Sequence, residues 1–272
     1  MIAKTKRLEN IGIWGVPRSG TSWLGQIFNS SPNTLYRFQP LFSFPFKGYL
    51  TKKSTKKEIV HFLDKIIKTN DEFIINGMLN KSEKSILNFK KRDLTHIVMK
   101  HVRYINIIEN MLNEYNNIKI IGIIRNPFSV LCSWFNAENE FKKNWRVMDE
   151  WKNGQKKNLN REEEFFGYDK WKQAALLFEE LNRNKNFYLL NYKNLLENTN
   201  EEVQNIFDFS NIKYTDQTKK FIEKSKSINI NNDYSVFKKK INDNDWEKKL
   251  PYEIVDFIKK DINNTVLSKY LS

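Results

Sequence analysis

The stretch Gly15-Val16-Pro17-Arg18-Ser19-Gly20-Thr21-Ser22 closes an apolar run, Ile11 to Val16, and leads directly into an amphipathic segment. A strand, a glycine-containing turn and a helix start offer several backbone N–H groups and a positive dipole end to a phosphate. Gly15 and Gly20 stand five apart with Thr21 and Ser22 following, which approaches the phosphate-binding pattern G-x-x-x-x-G-K-S/T. The lysine is missing. Thr21 stands in its place, and the cation comes earlier, as Arg18. A nucleoside-triphosphate enzyme needs that lysine on the β/γ-phosphates and a magnesium ion beside it. A turn with Arg inside it and hydroxyls around it suits instead a 5′-phosphate that carries a second anionic group, without a metal. A second group lies in "KIIGIIRNPFSVLCSWF", where an apolar run delivers Arg125 and a helical pattern carries Ser133 eight residues later. A guanidinium fork matches phosphate oxygens, and a hydroxyl two helical turns on adds a donor.

Strand ends and helix starts must hold these residues, and the chain supplies both. Candidate strands are 11–16, 96–100, 118–124 and 186–190, each nearly continuous in Ile, Val, Leu, Met or Phe, as strands buried on both faces must be. Helical patterns run over 21–29, 57–67, 105–114, 126–136, 162–181 and 201–207. Strand, helix, strand in this order predicts an α/β fold, a central parallel sheet flanked by helices with right-handed crossovers. Ligands of such sheets bind at the carboxyl ends of the strands, where both anion-binding groups fall. From Thr215 onward the chain reads as helix, basic loop and helix, a helical C-terminal tail over the sheet edge. Asp245 or the residues beside Pro251 open its last helix.

The 272 residues are 40% hydrophobic and 14% aromatic, with 9 Gly, 6 Pro, no low-complexity block and no repeat, which predicts a single domain over 1–272. The net charge of +14 makes anionic ligands the expectation, but Lys and Asn are scattered along the whole chain, so charge alone does not argue for nucleic acid. No RNA-binding signature such as aromatic RNP strands or a KH loop is present. There is neither a signal-peptide core nor an apolar run of ~18 residues that could span a membrane. A cytoplasmic location is the expectation. The single cysteine, Cys132, excludes an intramolecular disulfide, fits a reducing compartment and reads as a small apolar filler.

"GVPRSGTSWL" resembles the 5′-phosphosulfate loop of sulfotransferases that use 3′-phosphoadenosine 5′-phosphosulfate (PAPS), and Arg125 with Ser133 resembles the pair that holds the cofactor's 3′-phosphate. The resemblance implies a P-loop-like sulfotransferase fold, PAPS as donor and adenosine 3′,5′-bisphosphate (PAP) as product, with no metal. It implies Arg18, Ser19, Gly20, Thr21, Ser22, Arg125 and Ser133 as cofactor-binding residues. "NFYLLNYKNLL" is similar to the family's strand followed by Tyr-Glu-Asp-Leu: Tyr192 matches, whereas Lys193 and Asn194 replace the acids. "KKKINDNDW" resembles the family's Arg-Lys-Gly-x-x-Gly-Asp-Trp loop over the 3′-phosphate. Lys239 and Lys240 fall on its basic pair and Asp245-Trp246 on its end, but both glycines are lost, to Ile241 and Asn244. "SSPNTLYRFQPLFSF" and "IVMKHVRYI" resemble segments of the carbohydrate sulfotransferases, which makes a sugar or glycan hydroxyl the implied acceptor and Gln39 and Phe42 its contacts.

Sulfuryl transfer needs cations on the phosphosulfate oxygens and a base for the acceptor hydroxyl. Arg18 and Lys100 are the candidate cations. The carbohydrate branch has a glutamate where this chain has Gln39, which cannot take a proton. The cytosolic branch has Lys-x-His at the second strand end, and here Lys100-His101 brings the histidine one residue early. In an extended strand His101 faces the opposite side, and a bulge would be needed to make it the base. Glu138 and Glu140 are further candidates, while His61 and His96 sit in apolar patterns and read as structural. The segments 37–48 and 138–160, rich in aromatics and basic residues, suit a sugar ring that carries acidic groups. Rival expectations are a nucleotide-dependent kinase with a degenerate P-loop, a non-enzymatic polyanion-binding module, and a family member that kept the cofactor but lost its base.

Overall fold

A computed structural model describes residues 8–232, 234–239 and 243–271. Five strands form one sheet: β1 (Glu9–Trp14), β2 (Thr34–Phe38), β3 (His96–His101), β4 (Ile118–Ile124) and β5 (Phe187–Asn191). Every pairing is parallel and the spatial order is β2-β3-β1-β4-β5. Four of these strands coincide with the apolar runs. β2, "TLYRF", escaped that reading because Arg37 interrupts its apolar pattern. The side chain of Arg37 is buried because it donates to the carbonyls of Ile66 at 2.6 Å and Ile67 at 2.9 Å, the last turn of a helix.

Helices link and cover the strands. α1 (Thr21–Ser30) follows β1, and α2 (Lys56–Lys68), α3 (Glu72–Asn76) and α4 (Lys81–Ile86) lie between β2 and β3. α5 (Ile108–Glu114) precedes β4, and α6 (Pro127–Phe135), α7 (Val147–Glu150), α8 (Gln155–Asn158) and α9 (Tyr168–Leu181) precede β5. α10 (Tyr192–Glu197), α11 (Thr199–Phe209), α12 (Asp216–Ser227) and α13 (Tyr252–Ile262) complete the chain. α2 opens with a capping box between Thr55 and Glu58 and buries Ile59, Phe62, Leu63 and Ile66 on one face. α6 opens with the Asn126 side chain accepting from the Phe128 N–H at 2.8 Å, with Pro127 in the first helical turn.

Two expected helices are corrected. The pattern at 105–114 starts as a 3-10 turn, Ile105–Ile107. The helix expected from Glu162 begins at Tyr168, because Gly167 turns the chain at φ 89° and Glu164 is drawn away to an ion pair. Of the two openings proposed for the last helix, the one beside Pro251 is used, and Asp245 starts a short 3-10 turn.

The sheet separates two apolar layers. Ile11, Ile13, Val98, Ile121 and Ile123 pack with Leu24, Ile27 and Phe28 of α1 and with residues of α11 and α12. Trp14, Ile97, Met99, Ile120 and Ile124 pack with α2, α5, α6, α9 and α13. Alternation along β3 therefore puts Lys100 on the α1 side and His101 on the other. The Lys91 ammonium donates to the carbonyls of Asn29 and Ser31, a cation at the negative end of the helix whose positive end carries the site.

Candidate active site

The turn after β1 is closed by the Ser19 N–H donating to the Val16 carbonyl at 3.2 Å. Pro17 takes its second position and Arg18 its third, at φ 73°, the arrangement of a type II turn. A non-glycine residue there costs roughly 1–2 kcal/mol, and such strain is held where the surroundings over-determine it. Gly20 follows at φ 90° as the N-cap of α1, with no side-chain cap on the first-turn N–H groups. Thr21 is buried beside Gly15, Ser19 is fully buried and Ser22 is half-buried. The Tyr192 ring lies against Gly20, so close that a Cβ there would stand 2.4 Å from its edge. Gly20→Ala combines that clash with an unfavourable φ and is expected to destabilise the fold by about 2–3 kcal/mol. Urea denaturation checks it, and an unchanged midpoint would contradict the tight apposition.

Arg125 ends the β4 segment, its carbonyl held by the Trp171 indole at 2.9 Å. Its Nη1 donates to the Arg18 carbonyl at 2.8 Å, and the Arg18 Nε donates to Ser133 Oγ at 3.0 Å. The two anion-binding groups thus meet in one place. Arg125 lies 4.8 Å over the Tyr192 ring, and its Nε donates to Asp243 Oδ1 at 2.7 Å. A cavity of about 260 Å³ opens here, lined by Arg18, Arg125, Ser133, Lys238, Trp246 and Lys249 among others. Trp246 packs on Phe128 with ring centroids 4.4 Å apart. Lys239 is exposed and does not line this cavity; its neighbour Lys238 does, a correction by one position. Lys240 lies outside the described residues. Asp243 sat at an unassigned position of the basic loop, and no pattern in the sequence pointed to its bond with Arg125.

Lys100, at the end of β3, is 2% exposed with its ammonium 4.7 Å over the Phe38 ring. Burial, helped by the neighbouring Arg103 and Arg18 and opposed by Glu140, pulls its pKa down to about 7. Glu140 Oε2 stands 4.0 Å from Arg18 Nη1. Gln39 adopts φ 42°, donates its N–H to the Lys100 carbonyl at 2.8 Å and accepts from Arg103 Nη1 at 3.5 Å. The Arg103 guanidinium lies 3.9 Å over the Phe42 ring and donates to Glu164 Oε2 at 2.8 Å. Gln39 and Phe42 therefore converge on Arg103, a residue that had stood in the sequence only as part of "KHVRYI". Cys132 is buried beside the cavity, and burial raises its pKa.

His101 is corrected. β3 runs on without a bulge, so the imidazole faces the opposite layer and stacks on Trp14 with centroids 4.8 Å apart. Burial and the Lys100 charge drive its pKa down to about 3, and a proton arriving there would be unsolvated. It is a neutral core residue. Glu138 is exposed and pairs with Lys143 at 3.1 Å. His61 lies against Tyr49, and His96 pairs with Glu9 at 3.6 Å at the other end of the sheet.

No curated protein matches this sequence. Among solved structures, the mouse sulfotransferase SULT7A1 complexed with PAP is similar at a TM-score of 0.60, with 15% identity over 97% of this chain and 88% of that one. Retinol dehydratase in a complex with retinol and PAP is similar at a TM-score of 0.55, with 14% identity over 96% and 83%. At such identities the likeness is one of fold. The sulfotransferase domain family matches residues 8–269. With that match over nearly the whole chain, the protein belongs to the sulfotransferase family, the PAPS-dependent enzymes whose motifs its sequence carries.

Proposed function

We propose that the protein transfers a sulfuryl group from PAPS to a hydroxyl of a carbohydrate. The observation that carries the donor half is the junction of the two anion-binding groups, Arg125 to the Arg18 carbonyl at 2.8 Å and Arg18 to Ser133 at 3.0 Å. Gly20, Thr21 and Ser22 present backbone N–H groups at the α1 start to the 5′-phosphosulfate, with the buried Ser19 side chain behind them, and Arg18 and Lys100 neutralise its oxygens. Arg125 and Ser133 hold the 3′-phosphate, with Lys238 on the loop above it. Tyr192 walls the adenosine end. PAPS supplies the activated sulfuryl group; the chain supplies orientation, charge and exclusion of water.

The acceptor half is supported by the rings beside Lys100. Phe38 and Phe73 meet edge to face at 5.3 Å, and Phe42 lies 6.0 Å from Phe73. Gln39 and Arg103 give that apolar wall polar and cationic points, the pairing that a sugar ring with acidic substituents requires. The chain works as one domain. No helix among the described residues is long and apolar enough to cross a membrane, and the buried, unpaired Cys132 suits the cytoplasm.

Isothermal titration with PAP tests the donor half, with ATP and Mg²⁺ as the comparison. PAP is expected to bind in preference, and Arg125→Ala to weaken it about a hundredfold, the loss of charge-assisted bonds worth about 3 kcal/mol. Preference for ATP with Mg²⁺ would mean a kinase. Transfer from PAPS onto a panel of sugars and of phenols tests the acceptor half, and transfer to phenols alone would refute the carbohydrate.

A further inference from the structure

The proposed reaction needs a group to take the acceptor's proton, and the residues that would serve by position do not. Gln39 is an amide and His101 lies on the far face of the sheet, stacked on Trp14. Glu164 already holds Arg103 at 2.8 Å, Asp243 holds Arg125 at 2.7 Å, and Glu138 points to solvent beside Lys143. Glu140 differs from all of these. Its Oε2 is shut off from water and has no hydrogen-bond partner, although it stands 4.0 Å from Arg18 Nη1. At that distance the carboxylate stands beside one of the two candidate cations of the transfer, and its negative charge favours the charged form of the other, Lys100.

The backbone holds it there. After α6 the chain turns back, the Glu140 N–H donates to the Ala137 carbonyl at 2.8 Å, and the Glu140 carbonyl accepts from the Trp134 indole at 3.4 Å. The turn is pinned from inside by Trp134 and Phe141, whose rings meet edge to face at 5.2 Å. A buried carboxylate oxygen with no partner is costly unless a ligand completes it.

We propose that Glu140 is the general base of the transfer, a role that rests on the sulfuryl-transfer reading above. The acceptor hydroxyl donates to the Glu140 carboxylate, whose side chain is 19% exposed. As its oxygen bonds to sulfur, the bond from sulfur to the 5′-phosphate oxygen breaks and its electron pair stays on that oxygen. The acceptor proton ends on Glu140, and Arg18 and Lys100 take up the charge that grows on the departing phosphate. Arg18 thus stands beside the base and, on this reading, beside the leaving group as well.

The test compares wild type with Glu140→Gln, which keeps shape and removes basicity. The readouts are PAP affinity by titration, PAPS hydrolysis with water as acceptor, and transfer to p-nitrophenol, an acidic hydroxyl that needs little help to lose its proton. The expected result is PAP affinity within about threefold of wild type, hydrolysis down about a hundredfold or more, and p-nitrophenol transfer down by about fivefold or less, since a positioned base contributes about 10²–10⁴ where the proton is hard to remove. Glu140→Asp, which draws the carboxylate back by one carbon, falls between them. Equal losses with both acceptors, or none with either, would overturn the base. Loss of PAP affinity would instead make Glu140 part of the donor cradle and overturn it too. A wild-type protein that binds no PAP refutes the donor reading itself, a result that looks different from all of these.

Discussion

Arg18→Ala is expected to lower kcat/KM for sulfuryl transfer by about a thousandfold or more, the scale on which an arginine at a transferred anionic group acts. The side chain joins three parts of the site: Nε on Ser133 at 3.0 Å, Nη1 toward Glu140 at 4.0 Å, and the guanidinium 5.5 Å over the Tyr234 ring. Its carbonyl, which accepts from Arg125, survives the substitution, so the loop keeps its hold on β4. Alanine at φ 73° carries the same left-handed strain that arginine already carries, and stability should change by no more than about 1 kcal/mol. Arg18→Lys keeps the charge but loses the fork, and should recover only part of the rate. Steady-state kinetics on the folded variants decides. An Arg18→Ala enzyme within tenfold of wild type would remove Arg18 from the transfer step.

Lys100→Met separates the lysine's service to the reaction from its cost to the fold. In the unliganded protein burial pulls the Lys100 pKa from the ordinary 10.5 to about 7. Between those pH values the unfolded chain holds a proton that the folded one lacks, so stability rises with pH across the window. Below it the folded protein carries a charged lysine out of water at full cost. Methionine has no such cost, and the variant should be more stable by up to ~4 kcal/mol at pH 6 to 7, with a flatter pH dependence from 7 to 10. Its transfer rate should fall at least about a hundredfold. PAP brings anionic oxygens to the ammonium and restores its proton, so wild type at pH 8 should take up protons on binding and the variant should not. Denaturation across pH and titration in buffers of different ionisation enthalpy measure both; a Lys100→Met protein less stable than wild type at pH 7 would show that the lysine is a structural partner.

Much of this is legible in the amino-acid sequence itself. β1, β3 and β4 are covered on both faces and must be apolar throughout, so their runs stand out in a chain rich in Lys and Asn. The turn at Arg18 and the pair Arg125 and Ser133 are local spacings, visible as such. β2 was hidden by Arg37, whose partners are the carbonyls of Ile66 and Ile67, distant in sequence. The parity of His101 could be counted from Lys100, and the strand obeys it. Glu140 and Glu164 could not be sorted from the other carboxylates of their segments. Which acid turns inward depends on Trp134 and Phe141 folding the loop back in one case and on Arg103 across the sheet ends in the other, and no periodicity records either.

The order of the strands carries a consequence for how the parts of the enzyme can vary. Read across the carboxyl edge from β2 to β5, the sheet presents Phe38 and Gln39, then Lys100, then the Arg18 turn, then Arg125, then Tyr192. On the proposed reading these face, in turn, the acceptor, the moving sulfuryl group, the 5′-phosphate, the 3′-phosphate and the adenosine. The substrates lie across the strands like a rod over the teeth of a comb, about 4.8 Å to a tooth. The proposed donor contacts fall on the inner and β5-side teeth, and the aromatic wall proposed for the acceptor, with Phe38, Gln39 and Phe42, hangs from the β2 edge. Segments spliced in after β2 can therefore lengthen or reshape the acceptor groove without shifting a single donor contact, which makes that edge the place to graft a new specificity.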